Sequence, residues 1–405
     1  MTRLNGPLFF ILATLMLDAI GIGIVFPIMP ELMARVGAGD VGEGSFWAGV
    51  LMAAYAGAQF VCGPIVGSIS DAWGRKPVLL AALACLVLDY ILMALAGSFW
   101  LLLLGRTLAG VAGATYITAT AYVSDITPKE QRAARFGLIG AAFGVGFVLG
   151  PALGGLVAGW HVTAPFWVAA ALAAANLALG LFVLPESLRE ENRRPFGARQ
   201  INPFASFRRA FALPGLTVPL IALALFEFAN MVYPVLWAFW GKAALGWSTL
   251  TIGLSLSAYG VLMALAQAVV MPFAVVRLGE RRLVIFGLAV SAFAMAVYGV
   301  TTATWLVLLV MPLAALSDLV PPTLTAIAAN GAGEDEQGMV QGVIAALAAL
   351  AAVAAPLIFT PLFRLFTDGS GPYWPGAPFM LGAVLVLAIL PLVMRRGHAS
   401  AAAPR

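Results

Sequence analysis

Residues 15–27 read LMLDAIGIGIVFP. The run is aliphatic and glycine-rich, a composition suited to lipid, and yet Asp18 sits inside it. The rest of the chain is of the same kind: 62% of its 405 residues are hydrophobic, 10% are charged, and the mean hydropathy is +0.99. That balance excludes a soluble globular chain. Apolar runs of about 20 residues, long enough to cross hydrocarbon as helices, recur from end to end. Twelve are read, at 7–29, 46–69, 77–96, 99–124, 135–159, 164–184, 216–240, 249–275, 283–301, 304–328, 340–366 and 377–394. The fold class is therefore all-α, a polytopic membrane protein of 12 helices. Span 1 is read as a helix that stays rather than a signal peptide, because it is long, carries Asp18 and lacks a small-residue cleavage pattern.

Lysine and arginine set the orientation, since short loops rich in them remain cytoplasmic. With both termini inside, of the 22 basic residues only Arg35, Lys242 and Arg364 fall in outer loops and Arg106 in a span. This asymmetry also accounts for the pI of about 9.3 without any nucleic-acid partner. One inner loop, GEDEQ at 333–337, is acidic. The longest polar stretch divides the chain into an N-terminal six-helix bundle (1–185), a cytoplasmic linker (186–212), a C-terminal six-helix bundle (213–396) and a tail (397–405). Within the linker, NPFASFRRAF spaces Phe204, Phe207 and Phe211 as on a helix, opposite Arg208 and Arg209. Such a segment suits an amphipathic helix on an anionic leaflet, or else an irregular basic tether.

The two bundles echo each other. GSISDAWGRKPVLL follows span 2 and PFAVVRLGERRLVI follows span 8, with Gly74 and Gly279 in register and basic residues after each. A parallel repeat of six plus six spans is the ground plan of a large transporter class whose site lies at the midplane.

Five charged residues lie deep within spans: Asp18, Asp89, Arg106, Glu227 and Asp318. Each costs about 2.5 to 3.5 kcal/mol at a helix centre even on the lenient insertion scale, so each should face a cavity or a partner. Loss of water disfavours the charged form of a carboxyl group, which suits it to take up and release a proton. The bland alternative is a set of inert buried pairs that hold helices together. LFEFANMVYPVLWAFW, at 225–240, surrounds Glu227 with Phe226, Asn230, Tyr233 and Trp237, a wall fit for a flat apolar substrate whose cation would meet Glu227. For Trp237 and Trp240 an aromatic belt at the outer interface is the favoured reading. Tyr116, Phe143 and Phe147 are further cavity candidates.

Other chemistry has little to stand on. No G-x-x-x-x-G-K-[ST] loop is present for ATP. His161 and His398 are the only histidines, in an outer loop and in the tail, so ordinary metal sites and histidine-based catalysis are not expected. Cys62 and Cys85 fall in spans 2 and 3 and read as packing residues. No enzyme, cofactor or resident metal is expected.

Taken together, its motifs make the chain resemble the tetracycline-efflux branch of the major facilitator superfamily, among the drug/proton antiporters. The resemblance is carried by LDAIGIG, YAGAQF, GSISDAWGRKPVLL, LDY, GRTLAGVAGATY, YVSDIT, GFVLGPALGG and LPESL in order, then by LAQA, RLGERR and QGMVQG. It implies a major facilitator fold and proton-coupled export of small amphiphilic drugs, tetracycline-like or multidrug, by a monomer in a bacterial inner membrane. A metal-chelated substrate is compatible with it. The alternatives are a superfamily transporter of an ordinary metabolite, or a receptor that keeps the fold without transport.

By the same resemblance, Gly67, Asp71, Gly74, Arg75 and Lys76 form a cytoplasmic gating motif with Asp125 as partner, although Ala72 stands where the family carries arginine. Gly146, Gly150, Pro151 and Gly154 match the antiporter signature, placed in the family between halves; ordinary helix packing explains their spacing equally well. Asp18, Asp89 and Arg106 match the branch's membrane-embedded charges, with Asp18 expected within reach of Arg106, and Gln59 matches its polar residue in span 2. The second half departs: Ser291 replaces an aspartate in span 9, Met263 replaces a histidine in span 8, and Glu227 and Asp318 are additions.

Overall fold

A computed structural model describes residues 6–113, 115–193, 207–213, 215–333 and 336–399. Among the described residues twelve helices are long and apolar enough to cross a membrane: α1 (Gly6–Arg35), α2 (Val41–Trp73), α3 (Arg75–Leu95), α4 (Phe99–Ile126), α5 (Ala134–Val157), α6 (Ala164–Val183), α7 (Thr217–Leu245), α8 (Thr249–Leu278), α9 (Glu280–Val300), α10 (Thr304–Asn330), α11 (Gln337–Leu365) and α12 (Ala377–Met394). No strand occurs among the described residues. Helices satisfy their own backbone polar groups, which hydrocarbon requires of any lipid-facing segment. Several of them run past the apolar spans into polar turns, as α2 does through Ser70 to Trp73, because hydropathy marks the lipid boundary and not the helix end.

The chain forms two compact units, the first of Met1–Gly39, Val50–Asn202 and Trp247–Gly260, the second of Asp40–Gly49, Pro203–Gly246 and Val261–Arg405. The short segments 40–49 and 247–260 thus group out of chain order. At the start of α2, a Cβ on Gly49 would lie 2.5 Å from Thr360 Oγ1 of α11. At the start of α8, Gly253 lies against Pro151 and Gly155 of α5.

In the first unit Leu8, Phe10, Ile11 and Leu15 of α1, Leu79 and Leu83 of α3, Ala119, Tyr122 and Val123 of α4 and Ile139 of α5 form one buried cluster. Helix α1 runs along α5 at the glycine stripe. A Cβ on Gly150 or Gly154 would lie 2.6 Å from the carbonyl oxygen of Ile20 or Ile24, and Gly146 abuts Met16 in the same way. Gly146, Gly150 and Gly154 thus join α5 to α1, while Pro151 of the same motif lies against Gly253 at the start of α8. Missing side chains let the backbones approach, and α1 supplies the opposing surface.

In the second unit Phe207 and Phe211 stack at 6.3 Å on a six-residue helix, Phe207–Ala212. They pack against a cluster of Ala210, Leu216, Leu220, Ala328, Val340 and Val343. Phe207 and Phe211 thus cover the ends of α7, α10 and α11, which present apolar surface to them. Phe204, Arg194 and Arg199 of the linker, and Glu334 and Asp335 of the acidic loop, lie outside the described residues.

Prolines break three helices. Pro234 has no N–H to offer Asn230, and α7 is interrupted at Met231. Pro321 and Pro322 do the same to Ser317 and Asp318, and α10 tightens into a 3₁₀ turn over Leu316–Leu319. Ahead of Pro272, α8 widens into a π turn over Ala266–Val270.

Candidate functional site

The polar residues of the first unit gather around α1, α3 and α4. Arg106 of α4 forms an ion pair with Asp89 of α3, which is fully buried. The guanidinium carbon of Arg106 also lies 5.7 Å from the ring centre of Tyr55. Among the described residues no hydrogen bond or ion pair joins Arg106 to Asp18, so the expected partnership goes to Asp89 instead. Asp89 sits where a Cβ on Gly105 would lie 2.8 Å from its Oδ1, and this close packing of α3 on α4 brings the pair together.

Asp18 instead lines a small pocket with Thr14, Leu17, Ile20 and Gly21 of its own helix, Leu83, Leu86 and Tyr90 of α3, and Ala169, Leu172 and Ala173 of α6. The Tyr90 hydroxyl lies against Gly21, where any side chain would overlap it. Asp18, Asp89, Arg106, Tyr55 and Tyr90 are near enough to interact electrostatically. One turn along α1 from Asp18, Thr14 donates to the Phe10 carbonyl at 2.9 Å and accepts from the Asn176 amide of α6 at 2.9 Å. The pocket therefore carries one carboxylate, a phenol and a hydroxyl among apolar walls.

Gln59 donates to the carbonyl of Gly113 at 3.1 Å, at the point where α4 is interrupted. Tyr116 and Phe143 meet edge to face at 5.9 Å, and Phe147 meets Phe26 at 6.1 Å. Tyr116 is 44% exposed, while Phe143 and Phe147 are half-buried.

In the second unit the two helix breaks face each other. Asn230, at the interruption of α7, donates weakly to Asp318 of the 3₁₀ turn at 3.5 Å. Glu227, one turn before Asn230, lies within electrostatic reach of Asp318. The side-chain oxygen of Asn230 has no hydrogen-bond partner among the described residues. Ser291 is buried, its hydroxyl again without a partner among the described residues, and Met263 is half-buried. The prolines that bend the two helices carry the sequence signal for this meeting.

The aromatic segment of α7 behaves differently from expectation. Phe226 and Trp240 are fully buried and Trp237 is 5% exposed. Trp237 packs on Tyr298 at 5.4 Å, Trp240 on Phe379 at 5.1 Å, and the half-buried Tyr233 on Phe379 at 5.6 Å. Neither an outer belt nor an open cavity wall describes Phe226, Trp237 and Trp240. Tyr298 of α9 and Phe379 of α12 cover this side of α7, and sequence periodicity does not reveal partners so far along the chain.

At the turn between α2 and α3, Arg75 is the hub. It contacts Asp71 at 2.6 Å, Asp125 of α4 at 3.1 Å and the Ser70 hydroxyl at 2.6 Å. Gly67 lies one turn before Asp71, and its carbonyl accepts from Ser70 at 2.9 Å. Gly74 adopts φ 108°, a conformation other residues resist, and α3 begins directly after it. Glu186, from LPESL, accepts from the backbone N–H groups of Arg75 at 2.8 Å and Lys76 at 3.1 Å. Glu186 carries no mark of this role in the sequence, since a helix cap 111 residues away has no local signature.

Among the described residues no group of three or more His, Cys, Asp or Glu could hold a metal ion. His161 bonds to Thr163 in its own loop at 2.9 Å, and both cysteines are free thiols.

The family profile of the Major Facilitator Superfamily matches residues 11–356. The chain belongs to that superfamily. Major facilitator proteins are transporters of small molecules rather than enzymes, and this one is a multi-pass membrane protein with twelve candidate spans. It is 40% identical to the class C tetracycline resistance protein of Escherichia coli over 393 residues, 97% of each chain. It is also 29% identical to multidrug resistance protein 2 of Bacillus subtilis over 359 residues, 88% of each chain. Among solved major facilitator structures, the human organic anion transporter MFSD10 matches with a TM-score of 0.70 at 25% identity, over 97% of this chain and 100% of that one. The nucleoside transporter NupG matches with a TM-score of 0.79 at 12% identity, over 96% of this chain and 99% of that one, a likeness of fold alone.

Proposed function

We propose that the protein is a proton-coupled antiporter of the bacterial inner membrane that exports small amphiphilic drugs, tetracycline-like or multidrug, by alternating access of its two six-helix halves. The observation that carries the reading is Asp18, a carboxylate set among apolar walls beside an Asp89–Arg106 pair that is already neutralised. With Arg106 engaged elsewhere, a proton is the counter-charge available to Asp18. The similarity to tetracycline and multidrug resistance proteins supports the substrate class.

In this reading Asp18 takes a proton from one side of the membrane and releases it to the other as the halves 1–185 and 213–396 alternate about the linker 186–212. Tyr90 and Thr14 keep the approach to Asp18 polar. Glu227 and Asp318 repel each other when both are charged, and a proton or the cationic group of a substrate relieves that repulsion. Asn230 holds the pair in register. Arg75, with Asp71, Asp125 and Glu186, forms a closable cytoplasmic contact. Both termini are cytoplasmic, the protein acts as a monomer, and a metal-chelated drug enters as cargo.

The test is a drug-susceptibility panel of cells expressing the protein, with and without a proton uncoupler. Resistance to amphiphilic drugs, abolished by the uncoupler, is expected. Resistance that survives collapse of the proton gradient overturns the energy source, and no change for any drug overturns the substrate class.

A further inference from the structure

The two repeated turns have opposite charge balance. After α2, Arg75 is surrounded by Asp71 and Asp125, and Glu186 occupies the backbone N–H groups that open α3. After α8, Gly279 makes the same positive-φ turn, at 72°, into α9. Here Arg277 precedes the turn and Arg281 and Arg282 follow it, all exposed. Among the described residues no carboxylate lies within ion-pair distance of any of the three. Glu280, the acid of this turn, accepts from Asn330 at 3.5 Å instead.

More positive charge converges on the same place. Arg281 donates to the last carbonyls of α12, Val393 at 3.3 Å and Met394 at 2.5 Å. Those carbonyls draw the α9 turn against the end of α12, and Arg395 and Arg396 come next in the chain. Arg277, Arg281 and Arg282 thus lie where α8 and α9 meet the end of α12, with Glu280 among them, and the sequence adds two more arginines next along α12. Two of the arginines sit in the first turn of α9, where the helix dipole already concentrates positive charge. The adjoining surface of α8 is apolar: Phe273 is 65% exposed and Val276 is 86% exposed, a face for acyl chains. The first turn finds its anions within the protein. The second must find one outside it.

We propose that the α8–α9 turn and the end of α12 form a headgroup site for an anionic phospholipid, with Arg277 and Arg282 contacting the phosphate, Arg281 holding the helix ends together, and Phe273 and Val276 lying along the acyl chains. The site is independent of the drug reading above, because it needs neither proton coupling nor an exported substrate.

Native mass spectrometry of the purified full chain tests this, with phosphatidylglycerol and phosphatidylcholine offered at equal concentration. The wild type should retain phosphatidylglycerol preferentially. An arginine near an anionic surface is worth about five-fold in binding, so the double variant Arg277→Gln, Arg282→Gln should lose about ten-fold or more of that preference. Arg277→Lys, Arg282→Lys should keep most of it. Equal retention of the two lipids by the wild type, or an undiminished preference in the double glutamine variant, overturns the proposal. Displacement of the lipid by inorganic phosphate at the same concentration overturns the lipid as occupant. Elution of every variant as the same monodisperse species, read alongside, excludes misfolding as the cause of a loss.

Discussion

The Glu186 carboxylate accepts the backbone N–H of Arg75 at 2.8 Å, so the first residue of the linker caps a helix that begins 111 positions earlier. The cap also reaches Lys76 at 3.1 Å and folds back on Leu188 at 3.0 Å. Glu186→Ala should therefore destabilise the first unit by about 1 kcal/mol, the usual value of a helix cap, and Glu186→Gln by less. Thermal unfolding of the purified variants checks this. An unchanged midpoint for Glu186→Ala would show that water replaces the carboxylate without loss.

Asp89 and Arg106 form a buried pair, and removing one partner leaves the other charge uncompensated. Asp89→Asn should cost about 3 to 5 kcal/mol, whereas Asp89→Asn combined with Arg106→Gln should recover most of that loss. A double-mutant cycle on unfolding midpoints measures the coupling. Additive single losses would contradict a direct pair.

Gly150 and Gly144 differ in what they face. An added methyl group at Gly150 meets the Ile20 carbonyl oxygen at 2.6 Å, while at Gly144 it meets nothing within 4 Å. Gly150→Ala should thus destabilise by about 1 to 3 kcal/mol and Gly144→Ala should be tolerated. Equal behaviour of the two in folded yield and thermal stability would argue against the α1–α5 contact.

Asp18→Asn keeps the size of the side chain and removes its exchangeable charge. In energised inverted vesicles, drug accumulation should fall to the background of vesicles lacking the protein, with insertion unchanged. Glu227→Gln should reduce transport of cationic drugs more than of neutral ones. Full transport by Asp18→Asn, or equal losses for both drug classes with Glu227→Gln, would remove these residues from the roles proposed.

Asp368, in the loop after α11, accepts the Ser370 hydroxyl at 2.6 Å and its N–H at 2.9 Å. These bonds hold the carboxyl group below its ordinary range. Because the folded value is the lower one, the associated stabilisation is present at neutral pH and lost as pH falls through that lowered value. Ser370→Ala should return the titration of Asp368 toward that of an ordinary carboxylate, as read by carboxyl-carbon NMR. No change would show that the bonds do not form in solution.

The asymmetry between what was legible and what was not has a physical origin. LMLDAIGIGIVFP and its eleven counterparts carry their message in hydropathy, which acts residue by residue, so the helix count and the membrane setting follow from composition along the chain. Buried charge is equally visible, because Asp18, Asp89, Arg106, Glu227 and Asp318 stand out against lipid wherever they point. Gly74 and Gly279 are legible too, since the turn they permit is local.

Partner choice is not local. Sequence placed five charges inside the membrane, but only tertiary packing decided that Arg106 binds Asp89 while Asp18 faces Tyr90 and α6. Packing likewise turned Trp237 and Trp240 inward onto Tyr298 and Phe379, and set the Gly146–Gly150–Gly154 stripe against α1. Hydrophobicity fixes which segments leave water but is indifferent to direction. Ion pairs, ring contacts and close backbone approaches have ranges of a few ångströms, so they are settled only when helices distant in the chain come to lie side by side.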